Sequence, residues 1–422
     1  MPSKKRLVVF VASFSIILGS LAITTPLLAA GKEKVLYSFC SAQNCTDGSS
    51  PNGGLIFDNA GDLYGTTLVG GGLGDCTPGG CGTVFKLIPN NGRWTEEVLY
   101  GFNSQPPNPG LVFDNRGNIY GTTNDAGKAH CGTAFELIPN NHAQWTEKVL
   151  YTFTRGSDGC GPTAGLIFDR HGNLYGTTAR GGSGVGFGTV FELTRNNGEW
   201  TEKVLYAFTG GKDGNSPYTG LTIDSSGNLY GTTSGGGDTK CLPPYGCGTV
   251  FELISDNGKW TEKVLHAFTG KDGQHPQDNL VFDSHGNIYS TASYGGAYKC
   301  RYVNCGTAFE LTFKGGRWTE EVLHSFNGKS DGAYPENMTF DRTGKLYGTT
   351  YGGGAYGYGT VFELLLNNGR WMEKVLNNFN PNGHDGANPY PGGLILDTAG
   401  NLYGTTVGGG THNYGTVFEV KP

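Results

Sequence analysis

Four short words recur in one order along this chain of 422 residues, and that recurrence limits the fold more than any other feature. Tyr-Gly-Thr-Thr begins at Tyr64, Tyr120, Tyr175, Tyr230, Tyr347 and Tyr403, with the variant Tyr-Ser-Thr-Ala at Tyr289, so the spacings run 56, 55, 55, 59, 58 and 56. Gly-Thr-Val/Ala-Phe begins at Gly82, Gly132, Gly188, Gly248, Gly306, Gly359 and Gly415. Segments like Leu-Ile-Phe-Asp end at Asp58, Asp114, Asp169, Asp224, Asp283, Asp341 and Asp397. Segments like Val-Leu-Tyr-x-Phe start at Val35, Val98, Val149, Val204, Val264, Val322 and Val375. Each word therefore occurs seven times.

Each word is a β-branched and aromatic run bounded by Gly, Asn, Asp or Pro, which reads as a strand between turns. Asp-x-x-Gly-Asn joins the first two as a hairpin in which Asp caps the backbone and Gly takes positive φ. A Gly-rich loop leads into Gly-Thr-Val-Phe-Glu-Leu, and Asn-Asn-Gly leads into Trp-Thr-Glu-x-Val-Leu-Tyr. Each unit is thus a four-stranded antiparallel meander. Period two puts Trp94, Val98, Tyr100 and Phe102 on one face of the last strand and Leu99 on the other. Sheets apolar on both faces need cover on both sides, which radial stacking supplies. The expected fold is all-β, a seven-bladed β-propeller. The mature chain opens on the Val35 strand with no preceding Trp, and the chain closes at Val420 with no following Trp strand. Glu33 to Phe39 is therefore expected to complete the blade begun at Gly393, whereas an open solenoid would want capping repeats.

Glycine supplies 73 residues without a period of three, and aromatics make up 12%, so collagen-like and disordered chains are excluded. Lys4-Lys5-Arg6, an apolar run from Leu7 to Leu18 and small residues near Ala30 read as a signal peptide over 1–30, ahead of one propeller domain over 31–422. The rival is an uncleaved anchor, since Leu7 to Leu28 could just span a bilayer, but Pro26 and Gly19-Ser20 favour cleavage. The expected location is secreted or cell-surface. Without the first thirty residues, 27 basic face 36 acidic side chains, and no basic cluster follows Arg6. Nucleic acid and anionic membrane are set aside as partners. A monomer without a cofactor is expected.

The succession Gly-Asn-Leu-Tyr-Gly-Thr-Thr, Gly-Gly-Gly, Gly-Thr-Val-Phe-Glu-Leu resembles the GloVer (Gloeo/Verruco) tandem-repeat proteins of bacteria over roughly residues 33 to 420. That resemblance implies an exported, surface-associated protein, with anchoring that varies among members, and carries over no catalytic residues. A weaker likeness to NHL-type propeller repeats supports the strand order.

Ten Cys in an exported chain read as disulfides. Cys40 pairs with Cys45, Cys76 with Cys81, Cys241 with Cys247, and Cys300 with Cys305. Cys131 and Cys160 lie in connections that emerge on one rim, so they form the fifth bridge. Zinc is the alternative, but no His lies at ligand spacing. All ten then stiffen loops of one rim, the arrangement by which a scaffold presents a binding surface.

Asp-Gly recurs in the connections between units at Asp47, Asp158, Asp213, Asp272, Asp331 and Asp385, while Asn103 to Pro109 departs. Six carboxylates circling the axial mouth could hold Ca²⁺; the simpler reading is a turn dipeptide. The seven strand-ending Asp read as turn caps. Glu136, Glu192, Glu252, Glu310, Glu363 and Glu419 become Lys86 in the first unit, which reads as a solvated position. His266 and His324 take the Tyr slot of the last strand, and His171 and His285 sit in turns. His130, His275, His384 and His412 lie on the cysteine rim without a fixed catalytic partner.

The stronger signal is aromatic: Tyr245, Tyr294, Tyr298, Tyr302, Tyr351, Tyr356, Tyr358 and Tyr414 lie in or beside the Gly-rich loops of units four to seven, with Arg301, Lys299, Lys240 and Arg180 nearby. Tyr offers stacking area and a hydroxyl, which suits glycans and protein surfaces; the alternative is that these rings pack the loops together. The leading expectation is a non-catalytic binding module for a glycan or protein ligand. The alternatives are a propeller hydrolase, lactonase or lyase with its site at the axial channel, and a purely structural surface repeat.

Overall fold

The structure is a computed structural model that describes residues 33–72, 80–140, 145–182, 186–301, 303–382, 384–390 and 392–422. The proposed leader over 1–30 lies outside the described residues. Seven antiparallel sheets of four main strands follow one another, as the repeat predicts. Blade 1 runs Ile56–Phe57, Leu63–Val69, Thr83–Asn90 and Arg93–Gly101 from the inside out, and a short fifth strand, Ser49–Pro51, joins Leu63–Val69.

Closure follows the offset read from the chain ends. Blade 7 takes Ile395–Leu396, Leu402–Thr406 and Thr416–Val420 from the C-terminal end and Lys34–Ser38 as its outermost strand. Lys34 pairs with Glu419 and Ser38 with Thr416. The Phe39 amide donates to the Gly415 carbonyl at 3.0 Å.

Apolar residues on both faces put the core between the blades. Leu99 and Phe102 of blade 1 pack with Leu111, Ile119, Phe135 and Leu137 of blade 2. One edge-to-face Phe pair crosses each of the seven interfaces, from Phe39–Phe85 and Phe102–Phe135 through Phe379–Phe418, at 5.0–5.3 Å between ring centres. A buried ring contributes about 1.5–3 kcal/mol.

The period-two reading of the outermost strand is corrected by a bulge. The register shifts between Val98 and Tyr100, so Leu99 is the extra residue, and the same shift recurs in every blade. A bulge turns the chain past it to the other face. Trp94 consequently meets Tyr403 of blade 7 at 6.4 Å, while the Tyr100 hydroxyl donates to Glu147 of blade 2 at 2.9 Å. Trp94 and Tyr100 serve opposite interfaces; Leu99 shares that of Tyr100 and Phe102.

Segments preceding the innermost strands crowd round the axis. A Cβ added at Gly392 would lie 2.0 Å from the Gly53 carbonyl carbon, so backbone meets backbone there and only glycine fits. Thr163 donates to the Tyr218 carbonyl at 3.1 Å, and the Asn279 amide to Asn337 at 2.7 Å.

Candidate functional site

The cysteines build one rim. Cys40–Cys45, Cys131–Cys160, Cys241–Cys247 and Cys300–Cys305 are bridged, including the bond between two different connections. Cys76 lies outside the described residues, and with it the pairing expected for Cys81.

The rim tyrosines divide into two sets. Tyr245, Tyr298, Tyr356, Tyr358 and Tyr414 are exposed, Tyr245 the most at 71%. Tyr294 is half-buried and packs edge-on to His275 at 5.7 Å and to Tyr334 at 5.6 Å. Tyr351 packs against Tyr390 at 5.5 Å, though both remain partly exposed. Tyr302 lies outside the described residues. Arg301 lines a cleft of about 320 Å³ between blades 5 and 6 together with Lys299, Lys329 and Tyr334. A cleft of about 700 Å³ opens on the opposite rim beside Phe313 and Trp318, where the sequence pointed to turns alone.

Sequence reasoning missed the residues close to the aromatic cluster. The position five residues before each hairpin Asp holds Gly53, Pro109, Ala164, Thr219, Asp278, Glu336 and Gly392. Carboxylic acids occur in two adjacent units, and both are buried, Asp278 at 1% and Glu336 at 7% exposure. The two side chains hydrogen-bond each other, so burial and mutual repulsion push Glu336 well above the usual carboxylate range. Thr291 donates to Asp278 Oδ2, whereas Asp278 Oδ1 has no partner. Burial first, and then among other groups the charge of Glu336, raise the pKa of Tyr390 and Tyr294, so the acid pair lies close to these two rings. Burial lowers the pKa of His275 at its edge. The signal was present in the sequence as a break in the repeat: Asp278, Ser290 and Ala292 depart from it within one unit, and Ser290 donates to the Asn279 carbonyl at 3.0 Å.

The acids between units do not circle the axis. Asp47 accepts from the Tyr37 hydroxyl and the Ser41 amide, both at 2.8 Å, and faces Glu96 of the neighbouring outermost strand. Tyr151–Asp158–Glu202, Tyr206–Asp213–Glu262, His266–Asp272–Glu320 and His324–Asp331–Glu373 repeat the arrangement. These Asp follow the outermost strand closely, so its Tyr or His holds them at the periphery.

The third-strand acids are not solvated either. Glu136, Glu252, Glu363 and Glu419 are buried. Tyr120 donates to Glu136 at 2.7 Å and Tyr230 to Glu252 at 2.7 Å. Charge reversal at Lys86 is tolerated because Asp62 forms an ion pair with it where unit two carries Asn118. The hairpin acids do cap their turns; Asp58 Oδ1 accepts the Ala60 and Asp62 amides at 2.8 and 3.0 Å. His171 and His285 sit exposed in those turns, 3.6 Å from Asp169 and Asp283.

A family model for the Gloeobacter/Verrucomicrobia repeat matches residues 27–242 and 242–422. The chain belongs to this family. Among solved structures, the extracellular domain of a one-component system from B. thetaiotaomicron aligns at 10% identity and a TM-score of 0.54 over 92% of this chain and 40% of that one. A protein named as a 6-phosphogluconolactonase from Bacteroides uniformis aligns at 12% identity and a TM-score of 0.50, over 81% of this chain and 88% of that one. At these identities the likeness shows that this chain shares its fold with those proteins, and it goes no further. No curated protein matches the chain.

Proposed function

We propose that this protein is an exported binding module that takes a glycan on the cysteine rim, at the axial mouth of blades 4 to 7. One observation carries the reading: two ring groups, His275–Tyr294–Tyr334 and Tyr351–Tyr390, lie side by side, with Tyr390 near enough to Tyr294 to interact with it electrostatically. Pre-packed rings with free edges give a sugar face a stacking surface at small entropic cost. The bridged loops around them supply rigidity and, with the basic and apolar N-terminal segment, fit an oxidising compartment outside the cytoplasm.

The acid pair favours binding over glycoside hydrolysis. A glycosidase holds its two carboxyl groups about 5–9 Å apart to admit a sugar or a water, whereas Asp278 and Glu336 are in hydrogen-bond contact. They serve better as a rigid floor close to the rings, held together by a shared proton.

An array of neutral and acidic oligosaccharides, followed by calorimetry on the hits, tests this. Replacing Tyr390 or Tyr351 with Ala is expected to weaken the best ligand about tenfold or more, equivalent to roughly 1.4 kcal/mol. Tyr245→Ala, on the exposed blade 4 loop, should leave it unchanged. Release of product during incubation, or full affinity in Tyr390→Ala, would overturn the reading.

A further inference from the structure

Two of the peripheral interfaces carry His where others carry Tyr, and at one of them the chemistry changes with the substitution. Between blades 4 and 5, His266 Nε2, a carboxylate oxygen of Asp272 and one of Glu320 all lie within 4.8 Å of one another. His266 Nε2 is 3.0 Å from Asp272 Oδ2. Each side chain is half-buried, so an ion can reach the group from solvent.

We propose that His266, Asp272 and Glu320 form a binding site for a first-row divalent transition ion such as Zn²⁺, with its remaining positions open to water. Three features distinguish this group from ordinary acidic surface. Its donors are mixed, an imidazole nitrogen with two carboxylates, the set that suits Zn²⁺ and its neighbours rather than Ca²⁺ or Mg²⁺. The His–Asp separation is close to a ligand edge: metal–ligand bonds of about 2.0–2.2 Å place neighbouring donor atoms roughly 3–3.5 Å apart, according to the coordination number. Glu320 Oε1 is buried and has no hydrogen-bond partner, so a donor oxygen stands ready without a bond to break.

The surroundings orient the ligands. The Thr269 amide and hydroxyl both donate to Asp272 Oδ1, at 2.8 and 2.9 Å, which leaves Oδ2 turned toward His266. Phe268 packs edge-on to the His266 ring at 4.8 Å and fixes its plane. Such outer contacts are what hold a metal ligand in one geometry. Where Tyr206 replaces the imidazole it donates its proton to Asp213 at 3.0 Å and offers no nitrogen. His324, Asp331 and Glu373 make the neighbouring version, but Asp331 also accepts the Asn327 amide at both oxygens, at 3.0 and 3.3 Å, and is only 6% exposed.

The full-length mature protein, stripped with EDTA, is titrated with Co²⁺ and then Zn²⁺. One equivalent of Co²⁺ with visible d–d absorption, displaced by Zn²⁺, is expected, together with a rise in melting temperature on adding Zn²⁺. His266→Tyr restores the residue that the Tyr interfaces already accommodate, so its melt in EDTA should match the parent. Its Co²⁺ affinity should fall at least about 100-fold, since even an outer partner of a metal ligand is worth 10–100-fold. His324→Tyr should keep the site. No saturable uptake, or uptake unchanged in a folded His266→Tyr, overturns the assignment; so does equal loss in both variants.

Discussion

Single substitutions within a repeat are informative because the other six copies supply the control. Lys86 stands where six units hold Glu, yet its side chain is only 20% exposed, paired with Asp62 and with its ammonium 5.3 Å from the centre of the Tyr64 ring. Putting Glu there alone would set a third carboxylate beside Asp62 and Asp58 and should cost roughly 1–3 kcal/mol. Lys86→Glu with Asp62→Asn recreates the Asn118–Glu136 hydrogen bond of blade 2, 3.1 Å long, and should recover most of that loss. A double-mutant cycle in urea measures the coupling, and a double variant no better than Lys86→Glu would refute it. Both halves of this exchange stood in the sequence. Reading them as one required knowing that Tyr64 pairs with Lys86 across the strands, because a charge reversal seen alone looks like solvent exposure.

At the scale of the strand, what alternation hid was the bulge at Leu99 and its six counterparts, which looks in sequence like one more apolar residue. It turns the Tyr or His that follows it toward the next blade, where in most units an Asp held by that ring meets the next blade's Glu, and the electrostatics follow from that. Burial first, and the facing Asp second, push Glu96 and Glu373 up to about 8 and Glu202 and Glu262 up to about 7. A carboxyl group raised in the fold above its unfolded value, near 4.3, contributes stability that is complete below that value and lost as pH climbs through 7 to 8. The hairpin acids Asp169, Asp283, Asp341 and Asp397 act oppositely: despite burial, amide and side-chain donors hold them below the usual range, so their contribution is lost in acid. Melting temperature in EDTA should therefore peak near pH 5 and fall toward pH 8.5. Replacing Glu96, Glu202 and Glu262 with Gln should flatten the upper limb, and a parent curve level from pH 5 to 8.5 would contradict it. The strands, their order and the disulfide rim were legible; the sites were not, since axial Asp278 and peripheral Asp272 are both just Asp near a turn until the sheets are stacked.

For the whole ring, one of seven interfaces depends on a strand that comes before blade 1 in sequence, Lys34–Ser38, rather than on one that follows the preceding strand. Glu33 accepts from the Gly386 amide at 3.1 Å, and Phe39 meets Phe85 of blade 1 at 5.0 Å. Leu36 and Phe39 are buried and Tyr37 half-buried. A chain starting at Cys40 would leave Thr416–Val420 as a bare edge and forfeit about 1.5–3 kcal/mol for each of these side chains, so it should melt far lower and associate through that edge. The clasp is chemical rather than topological, however, and the order of segments along the chain should be dispensable. Appending Asn-Asn-Gly-Arg-Trp-Thr, the turn of unit one, and then the sequence of Glu33 to Phe39 after Pro422 gives blade 7 a direct connection from its third strand to its fourth, as in the other units. This permuted chain should regain a single cooperative transition within a few degrees of the parent by calorimetry and run as the same species on a sizing column. If the truncated chain melts like the parent, the N-terminal strand is no clasp; if the permuted chain stays destabilised, the ring draws on the chain's starting point in a way that strand pairing and the Phe39 contact do not explain.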